Sequence, residues 1–149
     1  MPLKAVAQKI TDGEHLNPRF VLSGIPIVMA EQVEDSGVNL VSCKKVSEDD
    51  FAKFTKKCAP RWHDVLIVSR GATIGRTCVV NTDKQFCLMG SVILLKVNPE
   101  VIYPHFLSSQ LKSAHYSATL KTTSGSSAQQ AIYISHLEEK TVIVPPTLI

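Results

Sequence analysis

Apolar residues along this chain repeat with two different periods, and the change from one to the other marks out its elements. Residues 3–10 mix both patterns and predict a helical turn or a short strand. Asp12-Gly13 and Asn17-Pro18 are turn signals. Ile25-Pro26-Ile27-Val28-Met29-Ala30 predicts a strand with its proline near the start, where a missing N–H is tolerated. Val38 to Val46 predicts another, apolar at first and basic at Lys44-Lys45. Ser47 with Asp50 has capping-box spacing, and Phe51 and Phe54 follow at helical spacing, so a helix is expected near 47–57, ended before Pro60.

The next block is β-rich: Asp64 to Ser69, a glycine-assisted connection over Gly71–Gly75, Thr77 to Val80, and Phe86 to Val97 broken at Gly90. Pro104 suits the first turn of a helix, and Phe106, Leu107, Leu111, Ala114 and Ala118 carry helical spacing to about Leu120. A polar stretch from Lys121 to Gln130 leads to a short apolar piece around Tyr133. Ser135 and Glu138 repeat the capping-box spacing, and Thr141 to Val144 predicts a last strand stopped by Pro145-Pro146. The pattern predicts one α+β domain over 1–149, with a twisted, mostly antiparallel β-rich core and flanking helices near 47–57 and 104–120.

Composition narrows the class. Hydrophobic residues make up 44% and charged residues 19% of 149, the balance of a globular chain. No apolar run is long enough for a bilayer and no signal-peptide pattern opens the chain, so a cytoplasmic location is expected. Cys43, Cys58, Cys78 and Cys87 lie far apart with no C-x-x-C pair, which predicts buried free thiols rather than a zinc site. The net charge of +3, from 16 Lys+Arg against 13 Asp+Glu, suits a phosphate-facing patch only if the cations segregate.

Catalytic motifs are fragmentary. Gly71-Ala72-Thr73-Ile74-Gly75-Arg76-Thr77 outlines a phosphate loop, but it is one residue short between glycines and has arginine in place of lysine. His136-Leu137-Glu138 matches half of a zinc-deaminase signature without its P-C-x-x-C. No G-x-S-x-G elbow, adenine-methylation motif or glycine-rich cofactor loop is present. Asp64 with Glu138-Glu139 leaves a small metal-dependent nuclease as one alternative, and a protein-docking α+β module is another.

Four stretches together resemble the target-recognition domain of type I restriction-modification specificity subunits. They are Ile10-Thr11-Asp12-Gly13-Glu14-His15 through Pro18; Gly24-Ile25-Pro26-Ile27-Val28; Asp64-Val65-Leu66-Ile67 with Gly71-Ala72-Thr73-Ile74-Gly75-Arg76; and Gly125-Ser126-Ser127-Ala128-Gln129-Gln130-Ala131-Ile132 with Leu137 and Val144-Pro145-Pro146. His63 departs from the pattern, standing where the family has glycine before the aspartate, and an extra residue precedes Gln129.

The resemblance implies a non-catalytic component that reads one half of a bipartite site in double-stranded DNA. A partner methyltransferase subunit would bind S-adenosylmethionine and methylate adenine, and a motor-nuclease subunit would cut. This chain itself would hold no cofactor or metal. The family's spacer helix and second recognition domain are not found in these 149 residues.

Residues shared by domains that read different words cannot be the main base readers. The resemblance therefore implies that Asp12, Gly13, Pro18, Gly71, Gly75, Pro145 and Pro146 are scaffold, holding turns and strand ends. Contacts to DNA are expected from Arg19, Lys44, Lys45, Arg61, Arg70, Arg76, Lys121, Thr122, Thr123, Ser124, Ser126, Ser127, Gln129 and Gln130, whose forked or hydrogen-bonding side chains suit phosphates and base edges. Trp62, beside Arg61, is expected to anchor the core or a hinge, with stacking on DNA as the alternative.

Overall fold

A computed structural model describes residues 1–120, 122–123 and 130–145. Its strands are β1 (Ala7–Asp12), β2 (Ile25–Val28), β3 (Val33–Glu34), β4 (Gly37–Val38), β5 (Lys44–Val46), β6 (Val65–Val68), β7 (Thr77–Val79), β8 (Cys87–Leu88), β9 (Val92–Val97), β10 (Thr122–Thr123) and β11 (Gln130–Ala131). Its helices are α1 (Leu3–Val6), α2 (Glu48–Phe54), α3 (Pro104–Lys112), α4 (Ala114–Leu120) and α5 (Ile134–Glu139).

The main sheet runs β1-β9-β6-β7, antiparallel throughout. A smaller sheet runs β5-β2-β8, with β2 antiparallel to β5 and parallel to β8. Both central strands of the main sheet are apolar on both faces because both faces are covered. Val65, Ile67, Ile93 and Leu95 pack with Leu107, Leu111, Leu120 and Leu137 from the helices. The alternate residues Leu66, Val68, Val92 and Leu94 pack with Val28, Phe86 and Leu88 beneath the small sheet. The expected α+β, mostly antiparallel architecture is what forms.

Two glycines allow the sheets to cross closely. A Cβ on Gly13 would overlap the backbone carbonyls of Leu88 and Met89, and one on Gly90 would overlap the His15 ring. The chain passes from β1 to Glu14, which pairs in parallel with Met89, so the small sheet is attached where β1 ends and β9 begins.

Four local expectations are corrected. The helix expected to run unbroken to Leu120 stops at Ser113, whose hydroxyl donates to the Gln110 carbonyl while accepting from Tyr116 N, ending one helix and opening the next. The strand expected over Val38–Val46 splits because Asn39 closes a turn, its carbonyl and side-chain oxygens accepting from Ser42 and Cys43.

Thr141–Val144 makes a single bridge, to Pro2, rather than a strand. The Gln110 side-chain amide takes the place of a strand neighbour, donating to Ile143 O at 2.7 Å and accepting from Ile143 N at 2.8 Å. Ser135 does not cap α5, because Tyr133 O already accepts from His136 N and Leu137 N and starts the helix at Ile134. The Ser47 cap does form, accepting from Asp50 N at 3.1 Å.

Candidate nucleic-acid interface

The main sheet has two chemically different ends. Call upper the end where β6 finishes and β9 starts. There Ser69 N donates to Ser91 O, Ile132 N donates to Ser69 O, and Arg70 bridges to Ala131. The bridge sets exposed Arg70 opposite Ala131, the chain neighbour of exposed Gln130, although some sixty residues of sequence separate them. Gly71 and Gly75 adopt left-handed φ values of 95° and 89°, which a glycine holds without the Cβ penalty. Their turn returns the chain so that Gly75 N donates to Val68 O and Val68 N to Arg76 O, bringing exposed Arg76 to the same end.

The small sheet carries a second group of cations. Val21 bridges to Lys45 on the outer edge of β5, and Lys44 Nζ lies 4.6 Å from the centre of the Phe20 ring, a cation–π contact. Arg19, Lys44 and Lys45 are all exposed. Leu22 and Val41 nearby are 101% and 99% exposed. Such aliphatic exposure between cations suits contact with base edges, thymine methyl groups included.

Arg61 stands apart from both groups. It precedes β6, whereas Arg70 follows it, and five residue steps at about 3.3 Å each put roughly 16 Å between the flanking residues Asp64 and Ser69. At this lower end Arg61 N donates to Asp64 Oδ2 at 2.8 Å, and Lys96 Nζ meets the same oxygen at 2.5 Å. Burial raises the Asp64 pKa above its ordinary value, and the Lys96 and Arg61 contacts only partly offset it. Asp12, at the upper end, behaves oppositely. Burial alone would raise its pKa, but hydrogen bonds from Lys57 and His15 together outweigh burial and lower it.

Trp62 is 52% exposed, so it does not anchor the core. Lys121, Ser124, Ser126, Ser127 and Gln129 lie outside the described residues, as do Gly125 and Pro146. Thr122 and Thr123 are placed as the strand opposite Gln130–Ala131. Lys112 was not among the expected contacts, yet it shares a cleft with Arg76, its Nζ donating to Asp35 O. Its place as the last cation of a helix beside β7 gave no sequence signal.

The alternative chemistries find little to build on. Asp64 is engaged with Lys96, and Glu139 pairs with Lys4 at 2.8 Å. Among the described residues no cluster of three or more His, Cys, Asp or Glu is placed to hold a metal. All four cysteines are free thiols, and burial pushes Cys58, Cys78 and Cys87 up to about 12, far from reactive thiolates. No described helix is long and apolar enough to cross a membrane.

A family model described as the type I restriction modification DNA specificity domain matches residues 21–148. No curated protein matches the chain. Among solved structures, the HsdS subunit from Thermoanaerobacter tengcongensis is similar with a TM-score of 0.71 at 19% identity, covering 98% of this chain and 32% of that one. The S subunit of a type I restriction-modification system from M. genitalium gives 0.58 at 17% identity, covering 94% and 32%. A chain from a study of complex assembly and conformational transition in the type I R-M system gives 0.60 at 19% identity, covering 98% and 33%. These similarities are of fold, and the present chain spans about a third of the length of each structure.

Proposed function

This chain belongs to the type I restriction modification DNA specificity domain family, and from that premise we propose that it reads one half of a bipartite DNA target inside a type I restriction-modification complex. The match over residues 21–148 carries this conclusion. The exposed cations of the upper end and the attached small sheet support it.

In this reading Arg70, Arg76 and Gln130 face the duplex from the upper end, and Arg19, Lys44 and Lys45 face it from the small sheet. The forked Arg70 and Arg19 suit guanine O6 and N7, the Gln130 amide suits adenine N6 and N7, and the motif residue Arg76 suits phosphates, as do the lysines. Thr122 and Thr123 belong to the same region, because their strand pairs with Gln130–Ala131. The chain supplies address rather than chemistry: S-adenosylmethionine, methyl transfer and cleavage are assigned to partner methyltransferase and motor-nuclease subunits. An isolated domain with so small a charge excess binds duplex weakly, because a few base pairs at about 1–3 kcal/mol each provide little specificity.

The test is a domain exchange. This chain replaces one recognition domain of a complete specificity subunit, and the methylated sites of the reconstituted complex are mapped. One half of the bipartite target should change to a new word while the other half and the spacing persist. Methylation at the original site, unchanged in both halves, would refute the assignment.

A further inference from the structure

We propose that the lower end of the main sheet holds a nucleotide-stacking site built on Trp62, distinct from the duplex-facing residues at the other end. Four rings form a continuous exposed array there. Trp62 lies 5.7 Å from His63, His63 lies 6.2 Å from His105, and His105 lies 5.3 Å from Tyr103, measured between ring centres. Trp62 and Tyr103 are 52% and 58% exposed, so their faces are open to a ligand.

A cleft of about 400 Å³ adjoins the array, and Trp62 forms one of its walls. Arg61 and Lys84 line it with positive charge, Phe51 and Phe86 give it an apolar lining, and Asp83 contributes the single carboxylate. A ligand that satisfies this lining has a flat aromatic face, a negative charge and a hydrogen-bond donor for Asp83. One nucleotide has all three, with its base on the indole, its phosphate toward Arg61 and Lys84, and an amino or hydroxyl group toward Asp83. The cleft is also of the volume that small-ligand sites have.

The backbone supports a ligand-directed role for the array. His63 has φ 72°, the left-handed region, which glycine would occupy without penalty. A histidine held there keeps its ring between Trp62 and His105, and strain of this kind persists where a site uses the side chain. The nucleotide can come from an unpaired stretch of a DNA strand or from solution. The chemistry is shared, and the test separates the two sources.

Trp62 is the sole tryptophan, so the emission of the full chain reports this site alone. The 149-residue chain is titrated with deoxyadenosine monophosphate, a single-stranded oligodeoxyadenylate and a random duplex. Saturable quenching by the oligonucleotide is expected. Arg61→Ala and Tyr103→Ala should each weaken it about tenfold. His63→Gly should weaken it while leaving the thermal midpoint unchanged or raised, which a purely structural histidine would not do.

Quenching by the mononucleotide as strong as by the oligonucleotide would support the site with a free nucleotide as its ligand. Quenching by single strands without any duplex binding would support the site and count against the duplex reading of the isolated chain. Duplex binding that leaves Trp62 emission unchanged, with no quenching by the other two probes, would overturn the stacking site and leave the duplex reading standing. Quenching that survives both Arg61→Ala and His63→Gly undiminished would overturn it as well.

Discussion

The two ends of the main sheet solve opposite problems with the same strands. At the upper end, Gly13 lets two backbones into close contact, while the open Gly71–Gly75 turn leaves Arg70 and Arg76 exposed. At the lower end, a largely buried carboxylate, Asp64, is held by Lys96, and exposed rings cover the turn that leads into β6. Asp12 has its pKa lowered by partners that reach it from the surface, while Asp64 has its pKa raised because burial exceeds what its partners return. One end is arranged to present charge outward. The other neutralises a carboxylate inside, and its surface carries an aromatic array beside Arg61 and Lys84.

The largest expected difference comes from removing a lysine at each end. Lys96→Met strands the Asp64 carboxylate, whose side chain is 11% exposed, and should cost about 3 kcal/mol in urea unfolding at neutral pH. That cost should shrink in acid as Asp64 takes up a proton. Lys57→Met at the upper end removes a partner that is 61% exposed and should cost no more than about 1 kcal/mol. Equal costs would erase the contrast between the ends.

Next in size is backbone packing. Gly13→Ala drives a Cβ into the Leu88 and Met89 carbonyls, which cannot swing away, and should cost about 2 kcal/mol or more in the same measurement. At the lower end His63→Gly relaxes a left-handed residue and should be neutral or stabilising, by up to about 1 kcal/mol.

DNA reading should then separate the arginines. In the assembled complex, Arg70→Ala should weaken binding to the cognate duplex by about 1–3 kcal/mol and relax preference at one position if it grips a base. Arg61→Ala should leave the recognised word unchanged. Competition binding against sites with single base changes distinguishes them.

The smallest effects are in pH dependence. Asp12, with its pKa depressed in the folded state, contributes stability that is present above about 3.8 and lost as pH falls through its lower folded value. The cost of Asp12→Asn should therefore be larger at pH 7 than in strong acid. Asp64, with its pKa raised, contributes stability that is present below about 3.8 and lost as pH rises through its higher folded value. The cost of Asp64→Asn should decline over that window. Unfolding free energies measured from pH 2 to 7 would show slopes of opposite sign, and slopes of the same sign would contradict the assignment of the two carboxylates.

Much of this architecture follows from local rules. Val65-Leu66-Ile67-Val68 and Val92-Ile93-Leu94-Leu95 are apolar at every position, and a strand with both faces covered is the arrangement that satisfies them. Ser47 and Pro104 mark helix starts because capping and the absent proline N–H are properties of one turn of chain. Gly71 and Gly75 announce a turn because left-handed φ values favour glycine wherever they occur. The order of four short motifs carries the resemblance to the family, since each motif is a local solution to one turn or strand end.

Whatever depends on which segments meet stayed hidden until the chain was folded. Ser113 breaks a helix whose apolar spacing runs straight through it, and the Gln110 amide displaces a strand that β-propensity favours at Thr141–Val144. Arg61 and Arg70 look equivalent in sequence, nine positions apart beside the same strand, yet the strand between them holds them at opposite ends of the sheet. Arg70 and Ala131 are far apart in sequence and adjacent in space through one bridge. Sequence determined the elements, because periodicity, capping and turn chemistry act over a few residues. Only the tertiary structure decided which side chains share a surface, because that depends on non-local pairing, and long-range backbone hydrogen bonds carry no mark of their partners in the residues that make them.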